Sequence, residues 1–586
     1  MPHYRLSCQN PLSGFLQVQT FLENLTQPEL FLQLPAWRPG RYELQNFAQK
    51  LQGFSVVAPD GSPLPVRKET KDRWRVDIQG NPRIEVRYNF YARQMDAGGS
   101  WVAPDFLYVN PVNCLLTASG LEQEPCTLAL DIPDHWQIAC GLPTTAAQTL
   151  QAENFDHLAD SPFITSATLQ HQAYEEQGHL FHVWFQGACQ PDWEQILPHF
   201  RAFTRAQLAL FETFPVKDYH FLNIILPYQH YHGVEHLNST VITLGPAEQL
   251  MSPTLYKELL GVSCHELFHT WNIKQIRPQE MLPYDFTREN YFRTGYVAEG
   301  VTTYYGDYLL ARSGVFTADQ YFQELNTVLK RHTVDQGEQH LSVADSSFDT
   351  WLDGYKPGVP DRKVSIYHKG CLAALVLDLE IRRTTQNARS LDDVMRRMWQ
   401  EFGQPGLGYT EADYQRLAEE EAGQSLEPYF REMIFGTASF EPWLQAALDY
   451  VGCTLHKEPA ALAYESVYGF RLNPALPTIP VVGYVVPDSP AAAVLSVDDE
   501  LVAVNGRKLE NGNLQHLTKG QQKLEVTLFR QKTLQTVTLS PGPQLFLPQY
   551  SVRKNPSATA EQQENFRQWL HQEFREPVKV QAATVV

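Results

Sequence analysis

His265 and His269 stand four residues apart in the segment HELFH, with Glu266 directly after the first. On a helix, positions i and i+4 lie one above the other on one face. The two imidazoles can therefore offer nitrogens to a single cation. Glu266 is turned about 100° from His265, which sets its carboxylate beside that cation, where it can hold a water. A catalytic zinc takes three protein ligands and keeps one position open. Thirty residues beyond His269, the stretch GYVAEGVTTYYGDYLL carries Glu299 inside an apolar helical pattern. A lone carboxylate among Val297, Ala298 and Val301 is costly to bury without a partner, and a metal is such a partner. These spacings predict one zinc per chain on His265, His269 and Glu299, with Glu266 as the base. The competing readings are two histidines in register by chance and a helix-start glutamate near solvent.

These residues need two helices to carry them. Tyr256 to Ile276 contains no proline, a single glycine (Gly261) and apolar residues at helical spacing, so a helix is expected there. A chain of 586 residues is too long for one core. Its texture divides into residues 1–172, all-β with alternating runs such as FSVV and WRVDIQ; 173–455, α-rich with a small sheet at its start; 456–545, a β-rich module; and 546–586, a tail. The tail holds an amphipathic helix candidate near Thr559 to Glu573, with Thr559 and Gln562 set for a capping box and Phe566, Trp569 and Leu570 on its apolar face. The fold class expected is multidomain α+β with an N-terminal β-sandwich.

The chain has 47 basic against 66 acidic residues, a net charge of −19. That argues against nucleic acid or an anionic membrane as partner, since both require basic patches. The N-terminus lacks a basic region followed by an apolar run, no stretch is long and apolar enough to span a bilayer, and none of the eight cysteines forms CxxC. A cytoplasmic protein with free thiols is the expectation.

HELFH followed by a downstream AEG glutamate resembles the gluzincin metallopeptidases, whose zinc is held by two His and one Glu. The segment IYHKGCLAALVLDLEI is similar to the YxKG segment of the aminopeptidase N group. The resemblance implies that Tyr367 hydrogen-bonds the tetrahedral intermediate. YHGVEHLNS falls where that group carries Gly-x-x-Glu-Asn. It implies that Glu235 holds the free α-amine of the substrate, with His236 in place of the Asn, and that Gly233 lets the backbone come close. His230 and His232 read as solvated loop residues, and His236 as a residue that can line the site.

Four separated motifs, LPAWRPGRYELQNFA (Leu34 to Ala48), GVEHLNS, HELFHTWNIKQIRP and AEGVTTYY, together resemble the glycyl aminopeptidase family. That family implies an N-terminal β-domain, a thermolysin-like catalytic domain and a PDZ module, with preference for N-terminal Gly or Ala. SPAAAVLSVDDELVAVNG is similar to a PDZ stretch, and YGFRL (Tyr468 to Leu472) is the nearest counterpart of its carboxylate-binding loop; a peptide ligand of this module is then expected. WRPGRY reads as structural, with Trp37 buried and Pro39-Gly40 turning. The function expected is a zinc aminopeptidase acting on peptides with a free N-terminus. The alternatives are a zinc endopeptidase recruiting protein tails through the PDZ module, and a non-catalytic PDZ scaffold.

Overall fold

The computed structural model describes residues 1–334, 336–356, 359–510 and 512–574. In the N-terminal region, strand Phe15–Glu23 buries every second residue (Leu16, Val18, Thr20, Leu22), the period of a half-buried strand. It pairs antiparallel with Arg83–Tyr91 at the heart of a seven-stranded sheet. A four-stranded sheet faces it across a core that includes Leu30, Leu32, Trp74 and Val86. The sandwich expected for residues 1–172 is extended by a third sheet, of five strands. Its Tyr108, Ala139 and Ile164 pack against Trp184, Leu222, Ile224 and Val241 of the next region. Both of these sheet faces are apolar, so neither is stable until it covers the other.

The second region opens with a five-stranded sheet in the order Gln170–Glu176, His179–Gln186, Asp218–Ile225, Ser239–Gly245, His230–Glu235. Its first strand crosses the boundary expected after residue 172, because pairing with His179–Gln186 ties it to this sheet. The parallel central strands Asp218–Ile225 and Ser239–Gly245 are buried almost throughout, as strands covered on both faces must be. His230–Glu235 is an edge strand, where the sequence reading expected a loop. Histidines and a glycine mask its β pattern, and cross-strand pairing with Ser239–Gly245 supplies the order.

The helix carrying the HELFH motif runs Pro253–Phe268, started by the Ser252 side chain accepting from the Leu255 N–H. It ends short of the expected Ile276, yet His269 keeps helical angles (φ −61°, ψ −19°) as its C-cap. The two histidines therefore stay in register.

The segment expected as a β-rich module is bracketed by two paired strands, and the chain after it packs back onto the preceding region. Strand Cys453–Glu458 pairs antiparallel with Gln549–Lys554. Helix Ala560–Leu570 starts at a Thr559/Gln562 capping box and buries Phe566, Trp569 and Leu570 in the core of the second region. The segment between those paired strands has a core of its own around Tyr468, Phe470, Val482, Leu501 and Val526. No described helix is long and apolar enough to cross a membrane.

Candidate metal centre and active-site cleft

His265 Nε2 and His269 Nε2 converge to 3.0 Å, and Glu299 Oε2 lies 3.4 Å from His269 Nε2. The three donor atoms sit within 4.8 Å of one another. His269 Nδ1 is 2.9 Å from the Asn272 carbonyl. The ring therefore donates from Nδ1 and turns an Nε2 lone pair to the centre, as a metal-ligating histidine does. The Asn272 side chain donates to Val297 O (2.8 Å) and Thr302 Oγ1 (3.0 Å). One residue thus fixes the tautomer of one ligand and braces the segment bearing another. That segment, Tyr296–Val301, is a π-turn leading into helix Thr302–Arg312, a local widening often found at functional sites. Tyr42, from the N-terminal region, donates to Glu299 Oε1 at 2.7 Å.

Two glycines set the approach of the next element. A Cβ on Gly370 would come within 2.7 Å of Gly300 Cα and 3.2 Å of Tyr296 Cα. Helix His368–Thr384 therefore meets the Glu299 turn backbone to backbone, and Tyr367 at its N-cap arrives beside Glu299. The Tyr367 and Tyr355 hydroxyls are hydrogen-bonded to each other. Burial, reinforced by Glu299, holds the Tyr367 phenol well above its usual range, so it stays a neutral donor.

Glu235 ends the edge strand, buried, with Oε1 lacking a hydrogen-bond partner. Gly40, at φ +78°, abuts its carboxylate with no room for a Cβ, and Gly233 abuts Glu266 Oε1 in the same way. Glu235, Glu266 and His269 also bring donor atoms within 4.8 Å of one another. Burial, with Glu235 and Glu299 adding to it against His269, pushes the Glu266 carboxyl well above the carboxylate range; its Oε2 is unpartnered. Against the pull of burial, Glu299 lifts His269 to about 10. Burial and then His269 lower His265. Three buried carboxylates around two imidazoles make a socket that favours positive charge, and this donor set fits zinc.

His236 is held from behind. Its Nδ1 lies 3.0 Å from Asp160 Oδ1, while Asp160 Oδ2 accepts from the Leu237 N–H (2.9 Å) and pairs with buried Lys274 (2.8 Å). Of the histidines expected in a solvated loop, His232 is half-buried on the edge strand and faces Asp96 at 3.9 Å. The structure brings together His265, Glu266, His269, Glu299, Tyr367, Gly233 and Glu235. It adds Tyr42, Tyr355, Asn272, Asp160 and Lys274, which sequence reasoning missed. The sequence carries signals for three of them: Tyr42 closes the WRPGRY motif, which reads as structural although its tyrosine reaches the centre, and Asn272 and Lys274 lie within HELFHTWNIKQIRP.

Residues 3–167 match the peptidase M61 N-terminal domain, and residues 258–373 match the M61 glycyl aminopeptidase domain. Among solved structures, an aminopeptidase N family protein from Idiomarina loihiensis is 25% identical, over 97% of this chain and 100% of that one, with a TM-score of 0.88. An M1 zinc metallopeptidase from Deinococcus radiodurans is 14% identical, over 75% of this chain and 93% of that one, with a TM-score of 0.47. No curated protein matches the sequence. The chain thus matches both the N-terminal and the catalytic domain of the M61 glycyl aminopeptidases, and it is a zinc metallopeptidase.

Proposed function

We propose that this metallopeptidase is an aminopeptidase that removes N-terminal residues, Gly or Ala by family resemblance, from peptides with a free N-terminus. His265, His269 and Glu299 hold one zinc. Bound there, zinc supplies a Lewis acid for the scissile carbonyl and acidifies water. Glu266, whose free oxygen and raised carboxyl suit a base, takes the proton of the attacking water and hands it to the leaving amine. Tyr367 donates to the developing oxyanion. Gly233 leaves the edge strand open to the substrate backbone, and His236, fixed by Asp160, backs Glu235.

The observation that carries this reading is Glu235. Its carboxylate is buried, one oxygen is unpaired, and it shares the cleft with Glu266 and His269. A substrate α-ammonium satisfies that oxygen. A polypeptide continuing through the same place, as in an endopeptidase, would leave a buried charge uncompensated. A non-catalytic scaffold has no need of the unpaired base. We read residues 456–545 as PDZ-like on their independent core and on strand Phe470–Leu472 following the YGF turn. The test is zinc content and turnover of wild type and Glu266→Gln on free and N-acetylated Gly, Ala and Leu peptides. The reading requires about one zinc in both proteins, cleavage of free-amine substrates alone, and a loss of about 10²- to 10⁴-fold in the variant. Equal cleavage of acetylated peptides would replace it with the endopeptidase.

A further inference from the structure

We propose that Arg38 receives the C-terminal carboxylate of the substrate, which makes the preferred substrates dipeptides; this rests on Glu235 taking the α-amine. Arg38 is 1% exposed. Its Nη1 donates to the adjacent Pro39 carbonyl at 3.0 Å, its Nε has no partner, and among the described residues it forms no ion pair. A guanidinium buried so completely is ordinarily paired with an acid. Asp96 is nearby, but its carboxylate is taken by Gln94 Nε2 (2.8 Å) and the Gly98 N–H (2.9 Å), with His232 also facing it. Gly98 itself forms the floor under the guanidinium, where a Cβ would overlap it. The arginine packs against the backbone with its Nε unpartnered; against the pull of burial, its charge helps hold the Asp96 carboxyl down, but the two form no ion pair.

Its position gives the ligand a length. The loop from Arg38 to Gly40 runs beside the cleft. Gly40 abuts the Glu235 carboxylate, and the charge of Arg38 is felt at both His232 and Glu266. Two residues of extended chain span about 7 Å. The same span separates the ammonium of a dipeptide from its carboxylate. With the amine on Glu235, which abuts Gly40, the carboxylate of a dipeptide would reach toward Arg38, two residues earlier in the same loop, whose Nε is free to donate. Paired fork to fork, guanidinium and carboxylate form a strong and directional contact. A longer peptide would put a neutral amide there and leave the arginine unpaired.

The test is calorimetric binding to zinc-loaded Glu266→Gln protein, with kcat/KM measured in parallel on enzyme retaining Glu266. The ligands are Ala-Ala, Ala-Ala amide, Ala-Ala-Ala and Ala-Glu amide. With Arg38 present, Ala-Ala is expected to bind roughly 10- to 100-fold tighter than its amide, and tighter than the tripeptide. In Arg38→Met the acid-to-amide ratio falls to about one, and Arg38→Lys restores part of it. Equal binding of acid and amide with Arg38 present overturns the proposal, as does a ratio that survives Arg38→Met. Tight binding of Ala-Glu amide also overturns it, since the arginine would then read an acidic side chain. If Arg38→Met fails to fold, the acid–amide comparison with Arg38 present decides alone. Cleavage of N-acetyl-Ala-Ala at the rate of Ala-Ala would instead overturn the aminopeptidase reading itself. A strict free-amine requirement without carboxylate preference removes only the role of Arg38.

Discussion

Tyr42 shows how far an active site can depend on one atom from a distant part of the chain. Its hydroxyl holds Glu299 Oε1 at 2.7 Å, 257 residues away in sequence. Outer contacts of this kind orient a metal ligand and commonly contribute 10- to 100-fold, in order of magnitude, to metal affinity. Tyr42→Phe is therefore expected to weaken zinc binding by about that factor with the fold retained, as read by competition with a chromophoric chelator. Unchanged affinity would make the contact incidental. Asp307 gives a second prediction at this scale. Burial, with Glu324 adding to it, lifts its carboxyl from the ordinary 3.8 to about 7. The folded chain thus holds a proton there that the unfolded chain has released between those values. Its contribution to stability is fully present below pH 3.8, falls as pH rises through that window and is gone above about 7. Asp307→Asn should flatten that part of the pH profile and raise Tm by a few degrees, roughly, at pH 8. Thermal denaturation across pH 4–8 reads it, and parallel profiles for the two proteins would refute it.

Between elements, the centre depends on close packing of backbones. The AEG and YHKG motifs each end in a glycine, and Gly300 and Gly370 meet face to face. A methyl on either must push helix His368–Thr384 away from the π-turn, and Tyr367 would move with it. Gly300→Ala is expected to destabilise the protein by about 1–3 kcal/mol. It should also lower turnover, since Tyr367 is moved away from Glu299, the residue next to Gly300. Denaturant titration with metal analysis checks this; a variant with normal stability and rate would contradict it. The elements also differ in how plainly the sequence marks them. The motif helix and the tail helix are legible because apolar periodicity leaves few alternatives. The edge strand His230–Glu235 is not, since a strand with one free edge and a Gly-His sequence is ordered by its neighbour, Ser239–Gly245. The π-turn carries no marker in one dimension.

Across the whole molecule, three contacts unite regions that the sequence reading drew as separate. The third N-terminal sheet covers the catalytic sheet. Asp160 locks to His236 and Lys274. The chain beyond 548 returns to the catalytic core as a strand and a helix. The intervening module joins at Glu458 and Gln549, which are paired opposite one another. Its ends are therefore a hairpin turn apart. Replacing residues 459–548 by Asn-Gly should close the hairpin and leave a folded, zinc-binding enzyme active on small peptides. Its Tm should fall by a few degrees, roughly, because Tyr484 no longer binds Asp361. Cutting the chain at 548 instead removes Phe566, Trp569 and Leu570 from the core and should abolish soluble catalytic domain. If the excised protein fails while the truncated one folds, the insertion topology is wrong. Thermal denaturation and zinc content of the two shortened proteins distinguish the outcomes.

The sequence by itself points to the chemistry proposed for the centre. His265 and His269 are four apart on one helix, Glu266 is carried between them, and Glu299 is a charge in an apolar run; local geometry and the cost of burying a charge leave little freedom. Tyr367 and Glu235 were reached through family resemblance. What only the tertiary structure decided is the set of partners that arrive from far along the chain. Tyr42 on Glu299, Asp160 behind His236 and Arg38 beside the cleft without an ion pair depend on how the N-terminal sheets dock, and Asn272 bridging two segments of the centre depends on the motif helix packing against the π-turn. Docking is set by apolar faces that cover one another, and such a face specifies that something must cover it without specifying what.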